Sequence, residues 1–307
     1  MKHLLKLMDL TGEEILSILD LADQLKYEKK HKIHRKYLEG KTLGMIFQKR
    51  STRTRVSFEA GMYQLGGQAL FLTARDLQIG RGEPVEDTAR TLSRYLDGMM
   101  IRTYDQQEVE VLAANSTVPV INGMTDFCHP CQVLADLMTI REKFALLDDL
   151  KLAYIGDGDN MANSLIVGGL KTGMHVAVAC PADYQPHPDV LAFAKEEQAK
   201  GASFMLTQDV KEAVRDADVV FTDTWVSMGR EDEREAREKA FAGYQVNAEL
   251  MALAKPEAMV QHCLPAYRGQ EITAEVFEAH ADEIFEEAEN RMHAQKAVLV
   301  TLLKDDE

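Results

Sequence analysis

The segment Phe47-Gln-Lys-Arg-Ser51-Thr-Arg-Thr-Arg55 carries the densest chemistry in the chain. It follows an apolar, strand-like run and leads into the amphipathic pattern Val56-Ser-Phe-Glu-Ala-Gly-Met62. A strand-to-helix junction of this kind points free backbone N–H groups at an anion. Here hydroxyls and up to three guanidinium groups join the positive end of the helix, which suits a phosphate. An ordinary capped helix accounts for Ser51 and Thr52, but three arginines around a helix start oppose the macrodipole unless an anion is present. The glycine-rich frame of a nucleotide P-loop is missing.

A second cluster, Asp126-Phe-Cys-His129-Pro-Cys131-Gln132, opens another helical pattern and admits three readings. Cys128 and Cys131 form a C-x-x-C pair, although a redox motif of that kind belongs near the start of a small thioredoxin-like unit. Together with His129 and the distant His262-Cys263 pair they could form a zinc site, although a second C-x-x-C is lacking. His129 and Gln132, three residues apart on one helical face, could instead hydrogen-bond a small polar group.

Three further segments each follow a strand-like run: Gly156-Asp-Gly-Asp-Asn160, Asp223-Thr-Trp-Val-Ser227-Met-Gly229 and His262-Cys-Leu-Pro265. Ligands of open α/β sheets bind beyond the carboxyl ends of the strands, where all three segments fall. The Gly156 segment lacks the full dinucleotide spacing, so it does not predict NAD binding. Asp223 suits an ammonium and Asn160 an amino-acid head group; their plainer roles are turn formation and helix capping.

Holding these segments requires strands alternating with crossover helices. Strands are expected at Thr42–Phe47, Ala69–Leu72, Met99–Ile101, Val118–Ile121, Leu152–Ile155, Val176–Cys180, Val219–Thr222 and Ala258–His262. Their near-continuous hydrophobicity predicts parallel, buried strands. Helices are expected at Arg53–Leu65, Val85–Tyr95, Cys131–Phe144, Ser164–Thr172 and Val190–Lys200. Periodicity alone leaves one barrel and two open sheets as alternatives. The basic run Lys26–Lys36 reads as a solvated helix face.

With 35 basic and 50 acidic residues among 307, the chain carries a net charge of −15. That field disfavours nucleic acid and anionic membranes as partners, while arginines focused in one cleft still admit a small anion. Four cysteines are too few for a disulfide framework, no apolar stretch reaches the ~20 residues of a membrane span, and Lys6 and Asp9 interrupt the first apolar run before a signal core forms. A cytoplasmic protein is expected.

Taken together, Ser51-Thr-Arg-Thr-Arg55, His129-Pro-Cys-Gln132, Asp223-Thr-Trp-Val-Ser-Met-Gly229 and His262-Cys-Leu-Pro265 resemble the transcarbamylase family, in order and over essentially the whole chain, to Glu289-Asn-Arg291-Met-His. The resemblance implies an α/β protein of two domains, each an open parallel β-sheet flanked by helices. Residues 1–142 would bind carbamoyl phosphate, with the C-terminal helix 288–307 packing back on them, and residues 143–287 would bind ornithine. Ser227-Met-Gly229 with His262-Cys-Leu-Pro265 points to ornithine rather than aspartate as acceptor; putrescine is the nearest alternative. An alternative of a different class is a non-catalytic anion- or zinc-binding regulatory protein.

By the same resemblance, Ser51, Thr52, Arg53 and Thr54 hold the phosphate, and Arg102 bridges it to the carbamoyl oxygen. Gln78 reaches a neighbouring subunit's site. His129 and Thr54 polarise the carbonyl, while Gln132 and the backbone carbonyl of Leu264 hold the carbamoyl amine. Asn160, Asp223, Ser227 and Met228 bind ornithine, and Cys263 and Arg291 complete the set. Arg102, His129, Asp223 and Cys263 are the catalytic candidates. A neutral amine attacks the carbonyl, fixed donors stabilise the oxyanion, and phosphate leaves; neither metal nor cofactor is required. A homotrimer or a multiple of trimers is implied. Gln48, Arg50 and Asp159 depart from the usual family text, Asp159 standing where the first of two Asn is usual.

Overall fold

The apolar run Thr42–Phe47 forms strand β1, and in the computed structural model it lies at the centre of the first of two parallel sheets. The structure describes residues 1–75, 77–227 and 229–305. The chain forms two compact units, Met1–Met138 with Asn290–Glu307, and Thr139–Glu289.

In unit 1, helix α1 (Gly12–Lys30) begins with a capping box between Thr11 and Glu14. It is followed by β1, α2 (Thr52–Gln64), β2 (Gln68–Thr73), α3 (Val85–Leu92), β3 (Gly98–Arg102), α4 (Gln106–Asn115), β4 (Val120–Met124) and the start of α5 (Pro130–Phe144). The sheet order is β2-β1-β3-β4. Ile46, Met99, Ile101 and Val120 pack with Val109 and Leu112 in a buried core. The basic run is not one helix face: α1 ends at Lys30, where Lys29 and Lys30 favour the negative helix end, and the chain leaves the helix at His31.

Unit 2 contains the rest of α5, then β5 (Lys151–Ile155), α6 (Asn160–Lys171), β6 (His175–Ala179), α7 (Pro188–Ala199), β7 (Phe204–Thr207), α8 (Val210–Val214), β8 (Val219–Thr222), α9 (Arg234–Ala240), α10 (Ala248–Met251), β9 (Met259–Gln261) and α11 (Ala274–Ala279). Helix α12 (Ala281–Leu303) runs across the second boundary into unit 1. The sheet order is β7-β6-β5-β8-β9, over a core that includes Ile155, Val220, Val260 and Phe277.

All seven strand pairings are parallel. Two open sheets therefore replace the barrel alternative. Strand order reverses between β1 and β3 in one sheet and between β5 and β8 in the other. At such switch points the outgoing loops diverge and leave a crevice.

Two expectations need correction. Strand β7 was not foreseen, because this four-residue edge strand lacks the continuous burial of its neighbours. Helix α6 starts at Asn160 rather than Ser164: Asp159 caps it, its side chain accepting from the Met161 N–H.

Candidate active site

In unit 1 the crevice is built at the ends of β1 and β3. The N–H groups of Gln48 and Lys49 donate to the Arg102 carbonyl at 2.9 and 3.4 Å, fastening the loop after β1 to the end of β3. Buried Lys49 also pairs with Asp126 and lies 4.2 Å from the centre of the Tyr104 ring. Ser51 then caps α2, accepting from the Thr54 N–H at 3.1 Å while its own hydroxyl donates to Thr54 Oγ1 at 3.1 Å.

Arg291 arrives from the far end of the sequence on α12. Its guanidinium donates to Thr54 Oγ1 at 2.9 Å and to Gln132 Oε1, and Gln132 in turn donates to Asp136 at 2.7 Å. His129 precedes Pro130, the first residue of α5, a position that spares the helix a lost N–H. Burial, and then the charges of Arg291, Arg102 and Arg53, hold the His129 pKa well below 6.5, so its ring is neutral near pH 7.

Neither flanking arginine joins that cluster of charges. Arg55 bonds Glu59 at 3.0 Å and lies 3.7 Å over the Phe71 ring, because its position on α2 faces the strand β2 side. Arg50 is exposed. The anion grip expected from three adjacent arginines is thus replaced by Arg53 with Arg102 and Arg291 from distant sequence. Gln78 is exposed in the 3-10 turn Gln78–Arg81, and its side chain bonds no described residue. Thr52 is exposed as well.

The cysteine pair does not read as metal-binding or redox-active. Burial pushes both thiols up to about 12, and they serve as donors: Cys128 to the Leu5 carbonyl and Gln106, Cys131 to the Asn122 carbonyl. A thiolate, which either chemistry needs, is strongly disfavoured there.

In unit 2 the crevice lies between the loops after β5 and β8. Gly158 is required by close packing: a Cβ there would lie 2.4 Å from the Gln185 carbonyl carbon and from the Pro186 nitrogen. Asp159 caps α6 and accepts from Ser227 Oγ at 3.1 Å, which links the two loops. Asn160 is the first residue of α6 and is buried. Arg237 on α9, 1% exposed, pairs with Asp157 and donates to the Trp225 carbonyl at 3.0 Å, tying the same loops together from beneath.

Asp223 follows β8, accepts from the Thr224 N–H at 2.7 Å and is hydrogen-bonded to Cys263. Burial raises its pKa, opposed by His262, Cys263 and the Thr224 N–H. Asp223, His262 and Cys263 bring potential ligand atoms within 4.8 Å of one another. Both His262 ring nitrogens are engaged, with the Leu264 N–H at 2.9 Å and Glu271 at 3.0 Å, so that trio is ill suited to a metal ion. The same bond to Leu264 steadies a leucine at φ +59°, a conformation that costs any side chain with a Cβ.

The structure therefore gathers Ser51, Arg53, Thr54, Arg102, His129, Gln132 and Arg291 in unit 1, and Asn160, Asp223, Ser227, Cys263 and Leu264 in unit 2. Met228 lies outside the described residues. Sequence reasoning missed Lys49, Tyr154 and Arg237. Each is a large polar side chain in an apolar or loop setting, a signal that becomes meaningful only when its burial is known.

A parallel two-sheet chain with an arginine-lined crevice at one switch point and a carboxylate-lined crevice at the other defines a class in which an anion and an amine are handled separately. Residues 2–142 match the family model "aspartate/ornithine carbamoyltransferase, carbamoyl-P binding domain", and residues 148–302 match the corresponding "Asp/Orn binding domain". The chain belongs to the aspartate/ornithine carbamoyltransferase family. It is 56% identical over 301 residues to the ornithine carbamoyltransferase of Caldicellulosiruptor saccharolyticus, covering 98% of each chain. It is 53% identical to the anabolic ornithine carbamoyltransferase of Pyrococcus furiosus, covering 98% of this chain and 96% of that one. A solved structure of ornithine carbamoyltransferase from Pyrococcus furiosus matches with a TM-score of 0.95 at 51% identity, covering 100% of this chain and 98% of that one.

Proposed function

We propose that the chain transfers the carbamoyl group of carbamoyl phosphate to the δ-amine of L-ornithine, giving L-citrulline and phosphate. The observation that carries this reading is the convergence of the Arg53, Arg102 and Arg291 charges on a buried, neutral His129. A neutral imidazole can donate to a carbonyl oxygen while the guanidinium groups offset the charge of a phosphate.

In this reading Ser51, Thr52, Arg53 and Thr54 bind the phosphate. Arg102, His129 and Thr54 stabilise the oxyanion formed when the neutral amine adds to the carbonyl carbon, and Gln132 and the Leu264 carbonyl hold the carbamoyl amine. Arg291 orients Thr54 and Gln132. Asn160, Asp223, Ser227 and Met228 take the amino-acid head group, and Cys263 stands beside the δ-amine. The amine's proton passes to Asp223 or to the departing phosphate dianion as the C–N bond forms and the C–O bond to phosphate breaks.

The reading extends to a trimer in which Gln78 serves a neighbouring chain's site. Support comes from β2, an edge strand with exposed Leu70 and Phe71, a surface that proteins ordinarily cover. Its cytoplasmic placement is supported by four cysteines that are all free. No helix among the described residues is long and apolar enough to cross a membrane.

The test is product formation from carbamoyl phosphate with ornithine, putrescine or aspartate. Ornithine-dependent citrulline is expected. Preference for putrescine would discard the head-group contacts, and silence with all three would overturn the transferase reading. Sedimentation should give a mass of three chains or a multiple of three.

A further inference from the structure

The crevice of unit 2 holds three carboxylates, and the fold treats them differently. Asp157 is neutralised by Arg237. Asp223 is hydrogen-bonded by Cys263 and the Thr224 N–H. Asp159 has no ion-pair partner among the described residues; it caps α6 through the Met161 N–H at 3.4 Å and accepts from Ser227 Oγ at 3.1 Å. A carboxylate removed from water is ordinarily paired with a cation. Burial, followed by Asp157 and Asp223, drives the Asp159 pKa well above the usual carboxylate range, with Arg230 and Ser227 opposing. Its surroundings thus lack positive charge.

A second observation points to a ligand. The Tyr154 side chain is fully buried, and its hydroxyl has no hydrogen-bond partner. After burial, the group that most strongly raises its pKa is Asp159. A buried hydroxyl without a partner marks a place where a polar atom belongs.

Ser227 has one hydroxyl proton, and Asp159 takes it. Toward a ligand, Ser227 Oγ can then only accept, and so can the carboxylate beside it. A surface built solely of acceptors, one of them anionic, selects a cationic donor.

We propose that Asp159 is a specificity-determining residue: with Ser227 it forms an acceptor-only face that requires an α-ammonium group on the amine substrate. This inference rests on the transferase reading above. It explains why the hydroxyl of Ser227, rather than a second carboxylate, completes the face: the hydroxyl accepts from the ammonium without adding a further like charge.

The substitution Asp159→Asn isolates the charge, because asparagine caps helices as well as aspartate and keeps α6 intact. Phosphate release is measured with ornithine and with 5-aminopentanoate, which has the δ-amine and carboxylate but no α-ammonium. Wild-type enzyme should strongly prefer ornithine. In Asp159→Asn the ratio of the two kcat/KM values should fall about 10- to 100-fold, as expected for loss of a charged hydrogen bond. The KM for ornithine should rise more than kcat falls, and the KM for carbamoyl phosphate should stay unchanged. A purely structural role would not separate the two acceptors.

Binding to the wild-type enzyme supplies a measurement independent of the variant's folding: L-2-aminopentanoate should bind far more tightly than pentanoate. Equal affinities would overturn the inference. An unchanged acceptor ratio in a folded Asp159→Asn enzyme that still turns over ornithine would overturn it while leaving the transferase reading standing. Failure of the wild-type enzyme to turn over ornithine would overturn the transferase reading, and the inference with it.

Discussion

Replacing Arg291 by methionine tests whether unit 1 depends on a residue nearly 240 positions from the helix it serves. Arg291 is 3% exposed and donates to Thr54 Oγ1 at 2.9 Å and to Gln132 Oε1. Methionine keeps most of the stem but removes both bonds. Each bond from a charged donor contributes about 1.5–3 kcal/mol, so the pair gives about 3–6 kcal/mol. The loss falls in the lower part of that range, because Thr54 keeps the Ser51 hydroxyl at 3.1 Å and Gln132 keeps Asp136 at 2.7 Å. A loss of about 3–4 kcal/mol lowers kcat/KM for carbamoyl phosphate roughly 10²–10³-fold. Removing the largest of the charges that depress His129 also raises the His129 pKa toward its ordinary value, moving the acid limb of the pH–rate profile to higher pH. Initial rates of citrulline formation at varied carbamoyl phosphate, over a range of pH, measure both effects, and circular dichroism establishes that the variant is folded. A folded Arg291→Met enzyme within about threefold of wild type would refute the assigned role of the Thr54–Arg291–Gln132 network.

Three further predictions concern separate parts of the molecule. Arg53→Ala should lower kcat/KM for carbamoyl phosphate by about 10²-fold, since a charge aimed at the phosphate is removed; wild-type-like kinetics would discard the phosphate assignment. Cys263→Ser should raise the KM for ornithine more than that for carbamoyl phosphate, because Cys263 is hydrogen-bonded to Asp223; equal loss of both would contradict its placement beside the amine. Acid should destabilise the fold through His129. Its native pKa lies below the unfolded value of 6.5, so as pH falls through 6.5 the unfolded chain binds a proton that the native chain refuses, and stability drops until the native pKa is reached. Urea melts on either side of pH 6.5 should show a shallower pH slope for His129→Gln; an unchanged slope would mean that other groups dominate.

Much of the fold was legible because buried parallel strands leave continuous apolar runs: Thr42–Phe47 and Val219–Thr222 form strands over those same residues. Where burial is partial the signal fades, as in β7, half-exposed at the sheet edge. Turn-rich text also hid a helix start, since Gly156-Asp-Gly-Asp159 reads as a loop until Asp159 is seen capping α6. At the anion crevice the local sequence supplied Ser51, Arg53 and Thr54 but overcounted the arginines. Arg55 sits four positions beyond the cap on a different helix face, where it pairs with Glu59.

By itself the amino-acid sequence determined the alternation of strands and helices, the capped helix start at Ser51, the neighbourhood of His129 and Gln132, and the order of motifs that marks the family. Those features are local or ordered along the chain, and they follow from periodicity, capping and residue type. Only the tertiary structure decided that the chain closes two sheets rather than a barrel, that Arg291 meets Thr54, and that Arg237 ties the loops carrying Asp157 and Trp225. It also decided that Cys128 and Cys131 are inert thiols rather than ligands. The physical reason is the same in each case: burial and charge act through space, over distances that sequence separation does not record, so a side chain's chemistry is set by neighbours that folding alone brings to it.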